Sequence, residues 1–317
     1  MKAIFADRYG APEEVLRIRE VDKPVPNDDQ VLVRVRATSV NRGDYYMLRG
    51  KPLLLRAMMG LRRPQRSIPG TDLSGQVEAV GRNVTQFKPG DAVFGARIGA
   101  TAEYVAARES AFVAKPANVT FEQAAAVPVA AITALQGLRD HGRLQPGQRV
   151  LINGASGGVG TFAVQIAKAL GADVTAVCNT PNVDQARSLR ADRVIDYTKE
   201  DFTKGAQHYD VILDIRSDHS LSATRQLLTA TGMHVQVGGG NVIRLLLRSG
   251  WLKLTKSKKA VFFIAKLNQP DLLVLRDLLA NGKLTPAIDR CFPLSEAGAA
   301  YGYMGTMHAR GKIVITM

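Results

Sequence analysis

Cysteine is scarce, with Cys178 and Cys291 the only two in 317 residues. Two thiols build neither a disulfide framework nor a four-cysteine zinc lobe, and they suit a reducing compartment. Histidine is sparse as well. His141, His208, His219, His234 and His308 stand at no ligand spacing to one another or to either cysteine, so no metal is expected. They read as surface or packing residues, and no Ser-His-Asp arrangement accompanies them. Apolar runs stay far short of a bilayer span. Residues 1–10 open directly on an alternating strand pattern rather than a secretory leader. A cytoplasmic, globular protein without a transmembrane segment is the expectation. Acidic residues are in deficit: 28 Asp and Glu face 42 Lys and Arg, for a net charge of +14. Such a balance suits nucleic acid or an anionic membrane, but equally the steering of an anionic small molecule. The cations are scattered apart from two clusters, which favours the last.

What is present divides into two textures. Residues 1–125 are β-rich, with short alternating or apolar segments at 1–5, 31–38, 72–80 and 92–94, punctuated by Pro24, Pro26, Pro69-Gly70 and Pro89-Gly90-Asp91. That spacing predicts a compact, barrel-like domain. Within it Asn41-Arg42-Gly43-Asp44-Tyr45-Tyr46 gathers polar groups just after a strand. A loop is favoured there, and two readings stand open: a binding loop, or an Asx turn followed by half-buried tyrosines. The first basic cluster follows at 49–66, where Leu53, Leu54, Leu55, Met58 and Met59 lie among six Arg and Lys. It reads as a lid over a substrate or as a surface loop. Pro52, Gly60 and Pro64 break it, which argues against a helix lying on a membrane.

From Ala124 an Ala-rich helix leads into alternating strands and helices. Strands are expected at 173–178, 193–196, 209–214, 234–237 and 260–264, and helices at 183–189, 221–228 and 271–280. This pattern is a doubly wound parallel sheet. The end of the chain, 311–316, alternates again and is expected to pair back onto the first domain. The second basic cluster, 244–259, carries Arg244, Arg248, Lys253, Lys256, Lys258 and Lys259 among leucines. A solvated helix face is the ordinary reading, and no zinc-finger, RRM or KH pattern accompanies it.

The chain is organised around residues 150–171, VLINGASGGVGTFAVQIAKALG. An apolar strand runs into a loop of small residues, and Phe162, Val164, Ile166, Ala167 and Leu170 then recur at helical spacing. Strand, glycine loop and helix together hold a dinucleotide pyrophosphate at a helix N-terminus. Ala155 stands at the first glycine position, so the loop reads Ala155-Ser156-Gly157-Gly158-Val159-Gly160. Gly157 allows close approach of phosphates, and Gly160 allows the helix to pack tightly on its strand. An acid at the end of the following strand would bond the ribose of NAD and repel a 2′-phosphate. Here that end carries neutral Asn179, Thr180 and Asn182, which points to NADPH. Asn179 also suits the start of the next helix.

These residues, with IPGTDLSGQVEAVG at 68–81, KPGDAVFG at 88–95, ADRVIDY at 191–197 and HARGKIVI at 308–315, resemble a family. The chain is similar to zinc-free medium-chain dehydrogenase/reductases of the quinone oxidoreductase branch, and within it to bacterial relatives of the reticulon-4-interacting protein. Zinc-dependent members carry Gly-His-Glu where this sequence has Gly70-Thr71-Asp72, and the structural-zinc cysteines are missing. The resemblance implies an α/β protein with a GroES-like catalytic domain at 1–125, a Rossmann domain at 126–265 and a C-terminal segment, 266–317, returning to the first. NADPH would lie between the domains and reduce a quinone or an α,β-unsaturated carbonyl. Contacts to it are implied at Ser156, Gly158, Val159, Asn179, Tyr197, Gly238, Phe262, Phe263, His308, Ala309 and Arg310. Tyr46, then Tyr45, would stabilise the nascent oxyanion, with Asn41 and Asp44 fixing their surroundings. Two departures stand out: Pro181 and Arg190 replace the usual Arg and Gly, and Asp214-Ile215-Arg216-Ser217 replaces Asp-Asn-Val-Gly. Dimers are usual in the family. A second function class is an interaction protein that binds cofactor while its basic clusters contact RNA or anionic membrane.

Overall fold

The computed structural model describes residues 1–51, 53, 56, 60–65, 67–237 and 260–317. It forms two compact units, Met1–Ala130 with Leu267–Met317, and Ala131–Lys266. No helix among the described residues is long and apolar enough to cross a membrane.

The first unit contains β1 (Lys2–Ala6), β2 (Leu16–Glu20), β3 (Gln30–Val40), β4 (Asp72–Val80), β5 (Ala92–Ala96), β6 (Tyr104–Arg108) and β7 (Phe112–Ala114). In β3, Val31, Val33 and Val35 are buried while Arg34 and Arg36 are exposed, the alternation of a half-buried strand. Those valines pack with Leu73, Val77, Val93 and Phe112. Each such side chain contributes about 1.5–3 kcal/mol on burial. Beyond Val35 the alternation ends and Ala37 to Val40 are all buried. The first half of β3 pairs with β6, and the second half with the strand that closes the chain.

The second unit carries β8 (Arg149–Asn153), β9 (Asp173–Cys178), β10 (Arg193–Asp196), β11 (Tyr209–Asp214), β12 (Leu228–Val237) and β13 (Ala260–Phe263). All pairings are parallel, in the order β10-β9-β8-β11-β12-β13. The chain moves outward from β8 in one direction, then resumes at β11 and moves outward in the other. In open parallel sheets ligands bind where the order reverses, which here is the carboxyl end of β8. The chain then re-enters the first unit with β14 (Ile288–Pro293) and β15 (Lys312–Thr316), and β15 pairs antiparallel with β3.

The longer helices are α1 (Arg42–Arg49), α2 (Pro128–Leu135), α3 (Gly158–Ala169), α4 (Val183–Ser188), α5 (Gln269–Ala280) and α6 (Ala297–Gly305). Helix α1 corrects the loop expected over Asn41 to Tyr46. Asn41 is its N-cap, Asp44 at the third helical position accepts the Asn41 N–H at 2.9 Å, and Gly50 closes it in the left-handed region. Asn-x-x-Asp is thus a helix-start signature rather than a turn. The helix expected over 221–228 stops at Arg225, because Leu228 opens β12 by pairing with Tyr209. The Ala-rich helix is divided: Phe121–Ala125 ends, Pro128 starts α2, and a π-turn follows at Gln136–His141. Strands β2, β6, β7 and β14 and helix α6 carry no clear periodicity and lie outside the sequence expectations.

One residue of each sequence departure lies on strained backbone. Arg190, just past the end of α4, has φ +70°, and Ser217 has φ +58°. Glycine adopts such angles freely, whereas an L-residue gives up about 1–2 kcal/mol there. Arg190→Gly and Ser217→Gly are each expected to raise the unfolding free energy by about 1 kcal/mol, measured by urea melts. A loss of stability at both positions would contradict the strain account.

Candidate functional site

In the second unit β8 delivers the glycine loop to the reversal point of the sheet. A Cβ on Gly160 would lie 2.6 Å from the Ala155 carbonyl carbon and clash with the Gly154 carbonyl oxygen, so α3 and β8 approach as closely as a backbone allows. Ala155 is fully buried beneath the loop. A Cβ on Gly157 would meet only the Gly154 oxygen, at 3.8 Å. Gly157 caps α3 and contributes no side-chain hydrogen bond to it. The first-turn amides of a helix have no intrahelical acceptor. Open space above Gly157, uncapped amides and the positive end of the helix dipole fit a pyrophosphate. Ser156, Gly158 and Val159 are half-buried around this mouth.

Asn179 follows β9 and caps a short turn, Thr180–Asn182. The Asn182 amide donates to Asn179 Oδ1. Thr180 Oγ1 donates to Asp196 Oδ2 at 2.5 Å, and Thr198 gives the other carboxylate oxygen its backbone N–H and its hydroxyl. These bonds, the Thr180 hydroxyl first, lower the pKa of Asp196 against the opposing effect of burial. Register explains the carboxylate that chain order concealed: Asp196 lies opposite Cys178 on the neighbouring strand. Tyr197 is exposed next to it. At the far edge, Phe263 stacks on His141 with ring centroids 4.2 Å apart, and Phe262 precedes it in β13. Gly238 and the cluster at 244–259 lie outside the described residues, as do Leu54, Leu55, Met58 and Met59 of the expected lid.

In the first unit a buried polar cluster surrounds the start of α1. Asp72 Oδ2 accepts from Ser39 Oγ at 2.8 Å, Asn41 Nδ2 at 2.9 Å and Lys312 Nζ at 3.2 Å. Its Oδ1 accepts the Val129 N–H. Lys312 also donates to Asn41 Oδ1 at 2.5 Å. Asp44 accepts from Thr71 Oγ1 at 2.8 Å as well as from Asn41. Burial, and after it the nearby Asp72, push the Asp44 acid up to about 6, against the lowering effects of Thr71, Asn41 and Lys312. Lys312 went unremarked as a site residue, being hidden in an apolar strand pattern. Asn41 and Asp44 therefore belong to one buried network. Tyr45 and Tyr46 are half-buried outside it, their rings 5.9 Å apart. Tyr45 packs on α6, where a Cβ on Gly305 would meet its hydroxyl at 2.8 Å. The Tyr46 hydroxyl has no hydrogen-bond partner among the described residues. At 3.6 residues per turn Tyr46 lies roughly 200° around α1 from Asp44. Asp44, Met47 and Leu48 face a cavity of about 260 Å³, lined also by Ile68, Pro69 and Ile98. His308, Ala309 and Arg310 form the turn into β15, where Asp289 accepts the Arg310 N–H.

Two family models match the chain: the alcohol dehydrogenase GroES-like domain over residues 27–117, and the zinc-binding dehydrogenase model over 189–315. Over its whole length it is 35% identical to a chloroplastic quinone-oxidoreductase of Triphysaria versicolor, covering 99% of this chain and 98% of that protein. The chain belongs to the medium-chain dehydrogenase/reductases, in their quinone oxidoreductase branch. The mitochondrial NAD(P)H oxidoreductase RTN4IP1 of Mus musculus is 33% identical to this oxidoreductase over 100% of its chain and 89% of the mouse protein. The solved quinone oxidoreductase of Coxiella burnetii matches with a TM-score of 0.87 at 31% identity, covering 100% of this chain and 99% of that one.

One family model carries zinc in its description, so the donor chemistry bears on it. Among the described residues no three His, Cys, Asp or Glu side chains converge as a metal site. Thr71 and Asp72, where zinc-dependent members have His and Glu, are bound into the network of Asp44, Asn41 and Lys312. A site that already holds a lysine ammonium against its carboxylate does not suit a divalent cation.

Proposed function

We propose that this oxidoreductase is a zinc-independent, NADPH-dependent reductase that transfers hydride to a quinone or an α,β-unsaturated carbonyl. The observation that carries the reading is the glycine loop. Its Gly157 leaves room before an uncapped helix N-terminus, and Gly160 admits no side chain. NADPH, when bound, supplies the hydride. The chain's own contribution is position and electrostatics: the α3 amides orient the pyrophosphate, and Asn179 offers the 2′-phosphate a neutral side chain. Tyr46 donates a hydrogen bond from its hydroxyl to the oxygen on which charge develops. Solvent provides the proton that completes the reduction. The relatives' printed names, quinone-oxidoreductase and NAD(P)H oxidoreductase, support the reaction class.

The test is a panel of quinones and enones under NADPH and NADH, each with and without EDTA, beside direct dissociation constants for both cofactors. NADPH is expected to bind at least about tenfold tighter, which is about 1.4 kcal/mol. Asn179→Asp should flatten or invert that preference by setting a charge against the 2′-phosphate. Equal affinities in the unmutated protein would refute the NADPH assignment, with Asp196 as the physical reason. Loss of turnover in EDTA, restored by zinc, would refute zinc independence. Retention on heparin at physiological salt without consumption of either cofactor would favour an interaction role instead.

A further inference from the structure

We propose that Lys312 is a positioning residue of this enzyme: its buried ammonium, bonded to Asn41 and Asp72, holds the first turn of α1 and so aims Tyr46. The inference rests on the oxidoreductase reading above and adds to it a residue from the far end of the chain. Lys312 is 2% exposed, and an ammonium is buried only at a cost that specific partners must offset. Those partners are Asn41, which begins α1, and Asp72, which opens β4. Asn41 is its N-cap, paired with Asp44 in a capping box, and the same side chain bonds Lys312 and Asp72. The cluster thereby anchors the capping residue of α1, and the orientation of that helix depends on a charge carried by β15.

Charge makes the role more than packing. Two carboxylates, Asp44 and Asp72, share this space with one ammonium, and among the described residues the phenol of Tyr301 completes the titratable groups that face Asp44. Tyr301 is held well above the ordinary phenol range by burial first and then by Asp44, so it stays neutral. Asp44 is left as the group that takes or releases a proton near neutral pH. Its acid is raised in the folded state to about 6. Its stability contribution is therefore present below the unfolded carboxyl range and lost as pH rises through about 6. Removing the ammonium leaves Asp44 with only a like charge beside it, and its midpoint must move upward.

Lys312→Met and Lys312→Arg, made in the full-length protein, test this. For Lys312→Met, kcat should fall on the order of tenfold to a hundredfold, with the KM for NADPH held within about twofold, since the glycine loop belongs to the other unit. The Asp44 midpoint, followed by ¹³C carboxyl shifts and by the pH dependence of melting, should rise by about one unit or more. Lys312→Arg keeps the charge and should restore most of both. A Lys312→Met protein that melts lower yet keeps kcat and midpoint would show a merely structural lysine and overturn the proposal. If Lys312→Met does not fold, Lys312→Gln decides: it keeps a donor to Asn41 but removes the charge, so kcat must fall and the Asp44 midpoint rise, and an unchanged kcat and midpoint overturn the proposal. Absence of turnover by the unmutated protein on every quinone and enone would refute the oxidoreductase reading instead. In that event an Asp44 midpoint unmoved by Lys312→Met still overturns the charge argument.

Discussion

Gly160→Ala is expected to abolish measurable NADPH binding and to lower the unfolding free energy by about 3 kcal/mol, the upper range for forcing extra atoms into a packed interior. The added methyl collides with backbone, the Gly154 oxygen and the Ala155 carbonyl carbon, and backbone cannot rotate aside as a flexible side chain can. Relief requires α3 to move off β8, which displaces the amides proposed to hold the pyrophosphate. Gly157→Ala is the informative contrast. Its methyl meets nothing closer than 3.8 Å, so the fold should be untouched while cofactor affinity drops through loss of phosphate space. Melting curves and cofactor titration of the two variants check this. Equal destabilisation of both would mean that the loop geometry is not as described.

Tyr46→Phe is expected to reduce kcat about a hundredfold with little change in cofactor affinity, the usual effect of removing one donor from a developing oxyanion. The substitution deletes a hydroxyl that has no hydrogen-bond partner among the described residues, so it leaves no broken bond and should not lower stability. Tyr45→Phe provides the comparison, because Tyr45 packs on Gly305 of α6 and its loss should weaken packing more than chemistry. Single-turnover rates with a small quinone, beside thermal melts, separate the two. Should Tyr45→Phe carry the rate loss and Tyr46→Phe none, the assignment reverses.

Some of the site was legible before any coordinates. The glycine loop announces itself because its requirements are local: where a Cβ is forbidden, the residue must be glycine, and the neighbouring apolar spacing names the strand and the helix. The departures at Arg190 and Ser217 were visible as unusual residues, and backbone angles of +70° and +58° supply their meaning. The start of α1 is ambiguous in the sequence because Asn, Asp and Gly favour turns and caps alike, and the choice depends on whether the third residue can return a hydrogen bond.

The amino-acid sequence by itself determined the two textures of the chain, the parallel sheet with its glycine loop, and the family. The first two follow from periodicity and steric rules that act within a few residues, and the family from the resemblance of its motifs. Only the tertiary structure decided which charges meet. Pairing of Ile313 with Val40 brings Lys312 beside Asn41, and pairing of Asp196 with Cys178 brings a carboxylate to Thr180. Strand register sets both encounters, over separations of 271 and 16 residues. Register is settled by burial along whole sheets rather than by the residues that happen to be charged.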